Sequence, residues 1–139
     1  MTTTNLLVAR SGGVPPAELL ALFAHAPWAS TRTRVDLARM MHGSFLLITA
    51  RRGDRLVGFG RAWGDGVYRA VLDDIVVVPE ERGNALGSRI VEALLTHCRE
   101  LAIEEVSLTC RPELAGFYER LGFRRYDGAT LKLREPRDA

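Results

Sequence analysis

The chain has 139 residues, 47% of them apolar and 26% charged, the size and balance of one soluble domain that folds without a disulfide or metal staple. Nineteen basic against seventeen acidic residues leave a net charge of +2, which argues against a nucleic-acid partner. Cys98, Cys110 and three scattered histidines make no zinc-ligand spacing, and the longest apolar run, Leu19 to Ala24, falls far short of the ~20 residues of a membrane span. With no basic-then-apolar leader at the N-terminus, the expectation is a single domain over residues 1–139, cytoplasmic, with no metal and no nucleic-acid or membrane partner.

Leu6 to Ala9 reads as a short strand, broken by Ser11-Gly12-Gly13. Pro15 and Pro16 suit the first turn of a helix carrying Leu19, Leu22, Phe23 and Ala26, and Pro27 ends it. Thr33-x-x-Asp36 resembles a capping box for a second helix, with Leu37, Met40 and Met41 on its apolar face and Gly43 as its stop. Phe45 to Ala50 and Leu56 to Trp63 read as strands around the turn Arg52-Gly53-Asp54. Gly58 and Gly60 would weaken the second of these unless something approaches its backbone. Gly64-Asp65-Gly66 signals a hairpin into a long strand, Val67 to Val78.

Leu86, Ile90, Leu94, Cys98 and Leu101 recur at three- and four-residue steps and mark the clearest helix. Val106, Leu108 and Cys110 alternate as a strand, and Pro112 opens a helix closed by Gly122. Phe123 to Tyr126 and Ala129 to Leu133 would form a last hairpin about Asp127-Gly128. The order β-α-α-β-β-β-α-β-α-β-β implies an α/β (α+β) domain with a mixed, mostly antiparallel central sheet flanked by helices.

Chemistry concentrates between Asp73 and Ser88. A strand ends at Val78, a polar turn follows, and Gly83-Asn84-Ala85-Leu86-Gly87 opens the strong helix. Such a junction presents unpaired N–H groups and the positive end of the helix dipole, a cradle for phosphate; it also serves as ordinary tight packing. It is neither a Walker loop nor a Rossmann fingerprint.

Asp73-Asp74-Ile75-Val76-Val77-Val78-Pro79 followed by Arg82-Gly83-Asn84-Ala85-Leu86-Gly87 resembles the acetyl-CoA motif of the GNAT acetyltransferases. A second family motif follows in the family's order, Gly116-Phe117-Tyr118-Glu119-Arg120-Leu121-Gly122-Phe123. The resemblance implies a GNAT-like sheet, acetyl-CoA as co-substrate and no metal. It implies that the backbone of Ile75, Val76 and Val77 pairs with the pantetheine arm. It places the pyrophosphate on Arg82, Gly83, Asn84, Ala85, Leu86, Gly87 and Ser88, and Tyr118 near the thioester sulfur. Ala85 stands where the family most often has Gly. The acid pair, with Ser107 to Cys110 leading to Gly116-Phe117-Tyr118, is similar to the glucosamine-6-phosphate N-acetyltransferases, although Thr109 stands where they carry an acid.

Taken alone, Tyr118 is a packing tyrosine; within the motif it is the general acid that protonates the leaving thiolate. The resemblance selects Asp73 as base or amine anchor and Asp74 as a structural or substrate-binding second acid. Strand alternation puts the two on opposite faces unless a bulge intervenes. Phe23, Trp28, Met40 and Met41 serve as core or as acceptor pocket, Trp63 lines a pocket or caps the core, and both cysteines read as packing thiols. The expected function is acetyl transfer from acetyl-CoA to a primary amine of a small molecule, an amino sugar phosphate among them. The alternatives are a protein or peptide amine acceptor, or a silent acyl-CoA-binding regulatory module. The hairpin at 123–133 offers an edge for a homodimer.

Overall fold

In the computed structural model, which describes residues 5–135, the expected element order holds as far as residue 120. The strands are β1 (Leu6–Ser11), β2 (Leu46–Arg52), β3 (Arg55–Trp63), β4 (Arg69–Val77) and β5 (Glu105–Ser107). The helices are α1 (Pro16–Phe23), α2 (Arg34–His42), α3 (Leu86–Glu100) and α4 (Ala115–Arg120), with single 3₁₀ turns at Pro79–Glu81 and Pro112–Leu114. The sheet runs β1-β2-β3-β4-β5, antiparallel throughout except for the parallel β4–β5 pair. It is the mixed, mostly antiparallel sheet with flanking helices that the sequence implies.

Local chemistry explains several boundaries. The Thr33 side chain accepts the Asp36 N–H at 3.2 Å and starts α2. β4 begins at Arg69, later than expected, because one oxygen of Asp65 accepts the N–H groups of Val67, Tyr68 and Arg69 at 2.8, 2.8 and 3.0 Å and curls that stretch into the turn. α3 comes very close to β3. A Cβ on Gly60 would lie 2.7 Å from Ile90 Cγ2, and one on Gly58 would lie 2.9 Å from Ile90 Cδ1. These are the backbone approaches that a strand glycine signals. The intervening Phe59 points to the other face, where its ring meets Phe23 of α1 at 5.8 Å. The core is therefore double: Ile90, Val91 and Leu94 under one face, Leu19, Phe23 and Leu37 over the other, all fully buried.

The last hairpin does not form. Residues 123–133 make no strand pairing, and Leu131 and Leu133 are 83% and 89% exposed. Alternation makes a segment able to lie half-buried on a sheet edge but supplies no edge to receive it. β5 pairs over only three residues, ending at Ser107 rather than Cys110.

Candidate active site

β4 carries the decisive irregularity. Phe59 pairs with Val76 and Arg61 with Asp73, so Gly60 faces two residues, Asp74 and Ile75. This is a β-bulge, with Asp74 in the left-handed region at φ 55°, a conformation that Asp tolerates better than most residues. The extra residue cancels the alternation, and both acids reach Arg61. Its Nε donates to Asp74 Oδ2 at 2.7 Å, its Nη2 lies 3.5 Å from Asp73 Oδ2, and its Nη1 donates to Ser44 Oγ at 3.2 Å.

The two acids sit differently. The Asp74 side chain is 1% exposed, and its second oxygen lies 3.0 Å from Arg32 Nη1, aligned as an ion pair rather than a hydrogen bond. A buried carboxylate needs such partners. Asp74 thus stands in the structural place that the expectation of a structural or substrate-binding second acid allows, with its Oδ1 held by the Arg32 charge and by no hydrogen bond. The Asp73 side chain is 45% exposed. It accepts the N–H of Asp74 at 2.9 Å and the Trp63 indole N–H at 3.2 Å. Trp63 thus belongs to the acid pair's surroundings rather than capping the core.

Beyond the bulge the sheet opens. β4 pairs with β5 only from Arg69 to Val71, leaving Leu72 to Val77 without a neighbour on that side among the described residues. Val78 donates its N–H to Val57 O at 3.0 Å, so by the two-residue repeat Val76 also turns its peptide groups to β3. Ile75 and Val77 turn theirs to the open edge. That strand leads into Arg82–Ser88. Gly83 has φ 88°, Ala85 is the α3 N-cap at φ 58°, and no side chain caps the helix. The N–H groups of Gly83, Ala85, Leu86, Gly87 and Ser88 bond no described residue, and a Cβ on Gly83 or Gly87 would meet nothing within 4 Å. Arg82 Nη2 reaches His25 O at 3.5 Å.

The turn before the loop is held to the β2–β3 hairpin. Arg52 grips Glu81 at 2.6 and 3.1 Å, and Asn84 Nδ2 adds a bond at 3.4 Å. The Arg52 hydrogen bond holds the Glu81 carboxyl below the usual glutamate range.

Tyr118 packs edge-on against Phe117 and Phe123 at 4.8 and 5.8 Å. It lines a cavity of about 1040 Å³ between β5, α3, α4 and the C-terminal segment, together with Cys98, Leu108 and Cys110. Burial, with a smaller contribution from the Cys110 thiol, raises its hydroxyl above the ordinary tyrosine value. The hydroxyl is protonated at neutral pH, as an unshifted tyrosine also is. Neither aspartate lines this cavity.

The family model of the acetyltransferase (GNAT) family matches residues 16–123. The chain belongs to the GNAT family. Among curated relatives of this GNAT chain, the serotonin N-acetyltransferase 2 of rice is 42% identical over 69 residues, 50% of this chain and 34% of that protein. The glucosamine 6-phosphate N-acetyltransferase 1 of rice is 42% identical over 52 residues, 37% of this chain and 32% of that protein. The chain spans between 34% and 63% of the length of the first curated relatives it matches. A GNAT family acetyltransferase from Streptococcus pneumoniae shares the fold, with a TM-score of 0.79 at 24% identity, over 94% of this chain and all of that one.

Two residues of this GNAT site escape a reading of the sequence, Arg61 and Arg32. Arg61 has a legible trace, a charge between the apolar Phe59 and Trp63 at one alternation of β3. Arg32 has none, because it lies in the irregular segment between α1 and α2.

Proposed function

We propose that this chain transfers an acetyl group from acetyl-CoA, the co-substrate of its family, to a primary amine of a small molecule. One observation carries the reading: a strand edge opened by a bulge runs directly into a loop and helix start where the N–H groups of Gly83 and of Ala85 to Ser88 bond no described residue. An extended amide arm pairs with Ile75 and Val77 as an added strand would, and a pyrophosphate takes the N–H groups from Gly83 to Ser88 and the helix dipole. Val76 acts by holding that edge to β3. Arg82 and Asn84 flank the anion, and Leu86 anchors the helix start in the core. Ala85 carries the cost of a left-handed alanine, ~1–2 kcal/mol, with its methyl exposed.

Asp73, exposed and turned toward Trp63, holds the acceptor's ammonium, and solvent takes its proton. Asp74 fixes the bulge and the two arginines. The amine attacks the thioester carbonyl, and Tyr118, protonated at neutral pH, gives its proton to the departing thiolate. The acceptor is of the size of the amines named for the two rice relatives, an arylalkylamine or an amino sugar phosphate.

Tyr118→Phe keeps the ring packing and removes the proton. We expect kcat for thiol release to fall about 10²–10⁴-fold, with acetyl-CoA affinity unchanged in calorimetry. An unaltered kcat, with chemistry rate-limiting, returns Tyr118 to packing.

A further inference from the structure

The surroundings of Asp73 hold a cation that the transfer reading leaves without work. Arg32 comes from the segment between α1 and α2. Its guanidinium lies 5.2 Å over the Phe23 ring and 5.4 Å over the Trp28 ring. Nη1 faces Asp74 at 3.0 Å and Met40 Sδ at 3.6 Å. Nε and Nη2 bond no described residue, and the side chain is 33% exposed. A guanidinium offers five donors in a planar fork, and here most of the fork is unused while the rings hold it in place. Arg61, by contrast, spends all three nitrogens on Asp74, Asp73 and Ser44.

The charges of the cluster decide what the fork would take. Asp73 and Asp74 balance Arg32 and Arg61. An ammonium docking on Asp73 adds one uncompensated positive charge to a partly buried site, where such a charge is poorly screened. A negative group on the same molecule restores neutrality, and Arg32 is the cation with donors to receive it. Both ends lie within one aspartate of each other, since Arg32 meets the Asp74 carboxylate and Asp73 accepts the Asp74 N–H at 2.9 Å.

We propose that the acceptor is a zwitterion, an amine carrying a carboxylate or phosphate nearby, and that Arg32 is the specificity-determining residue that binds the anionic group. The inference rests on Asp73 as the ammonium anchor. Its test is a binding measurement on the CoA-loaded protein, titrated with matched pairs of probes: tyrosine against tyramine, and glucosamine 6-phosphate against glucosamine. The first pair reads a carboxylate and the second a phosphate.

The member of one pair that carries the carboxylate or phosphate should bind at least tenfold tighter, a preference worth about 1.4 kcal/mol. Arg32→Gln should bring the two affinities together, and Arg32→Lys should keep part of the difference. Equal or tighter binding of the member without the carboxylate or phosphate in both pairs overturns the inference in the wild type, whatever the variants do. A preference that survives Arg32→Gln overturns it too, as does failure of all four probes to bind. Thiol release from acetyl-CoA, measured with the same probes, judges the transfer reading separately. Release with tyramine and glucosamine alone sinks the inference and leaves transfer standing. An Arg32-dependent preference without any release sinks transfer and leaves Arg32 as the residue that binds the anionic group of the ligand.

Discussion

Asp74→Asn isolates the ion cluster from the backbone that carries it. Asparagine tolerates the left-handed conformation nearly as well as aspartate, so the bulge at φ 55° keeps its geometry while the charge is lost. The substitution removes a charge-assisted bond to Arg61 at 2.7 Å and an ion pair to Arg32 at 3.0 Å. Removing one partner of a fully buried pair costs ~3–5 kcal/mol. Here the orphaned guanidiniums are 14% and 33% exposed, and Arg61 keeps Ser44 and Asp73, so the cost falls to about 2–3 kcal/mol. In a domain of this size ~1 kcal/mol moves Tm by about 3 °C, which gives a drop of about 6–9 °C. Urea and thermal denaturation of the two proteins at neutral pH read this directly. A loss under ~0.5 kcal/mol, the range of an ordinary surface substitution, would refute a carboxylate buried between two guanidiniums.

Gly60→Ala should cost about 1–3 kcal/mol, the overpacking range, because its Cβ would fall 2.7 Å from Ile90 Cγ2 and 3.2 Å from Leu94 Cδ1; a neutral substitution in urea melts would mean that α3 yields. Glu81 predicts a pH effect. Its folded pKa is depressed by Arg52, so its contribution is present above the unfolded glutamate value and is lost as pH falls through the folded one. Glu81→Gln should therefore flatten the acid side of the stability–pH curve, and two parallel curves would contradict the Arg52–Glu81 grip.

The fold was legible where local rules and the core agree. The α3 stripe, the Thr33 cap and the glycine-paired strand all follow from periodicity and turn chemistry, and Gly58 and Gly60 announced the helix that presses on them. The final hairpin misled because alternation in Ala129–Leu133 describes a surface and not its partner. Within the site, the acid pair and the loop stood out as residue types in the wrong place for plain strand and plain turn. The bulge that turns both acids toward Arg61 could not be read. A bulge is one unpaired residue fixed by the register of the neighbouring strand, and register is a property of two segments. Arg32 was hidden for the same reason, since its partners Phe23, Trp28 and Asp74 meet it only in three dimensions.

The central claim is that the loop from Arg82 to Ser88 holds the pyrophosphate of acetyl-CoA, and Gly87→Glu tests it most directly. The position has room for a side chain, with nothing within 4 Å of a Cβ. A carboxylate in the first turn of α3 favours the helix through its dipole, so the variant should fold at least as well as the wild type. The same carboxylate places negative charge and bulk where the pyrophosphate would lie. Calorimetric titration with acetyl-CoA should show binding to the wild type and a loss of at least about tenfold, or ~1.4 kcal/mol, in a Gly87→Glu protein of undiminished Tm. Equal affinity of the two proteins would contradict the site, and with it the account of what this loop is for.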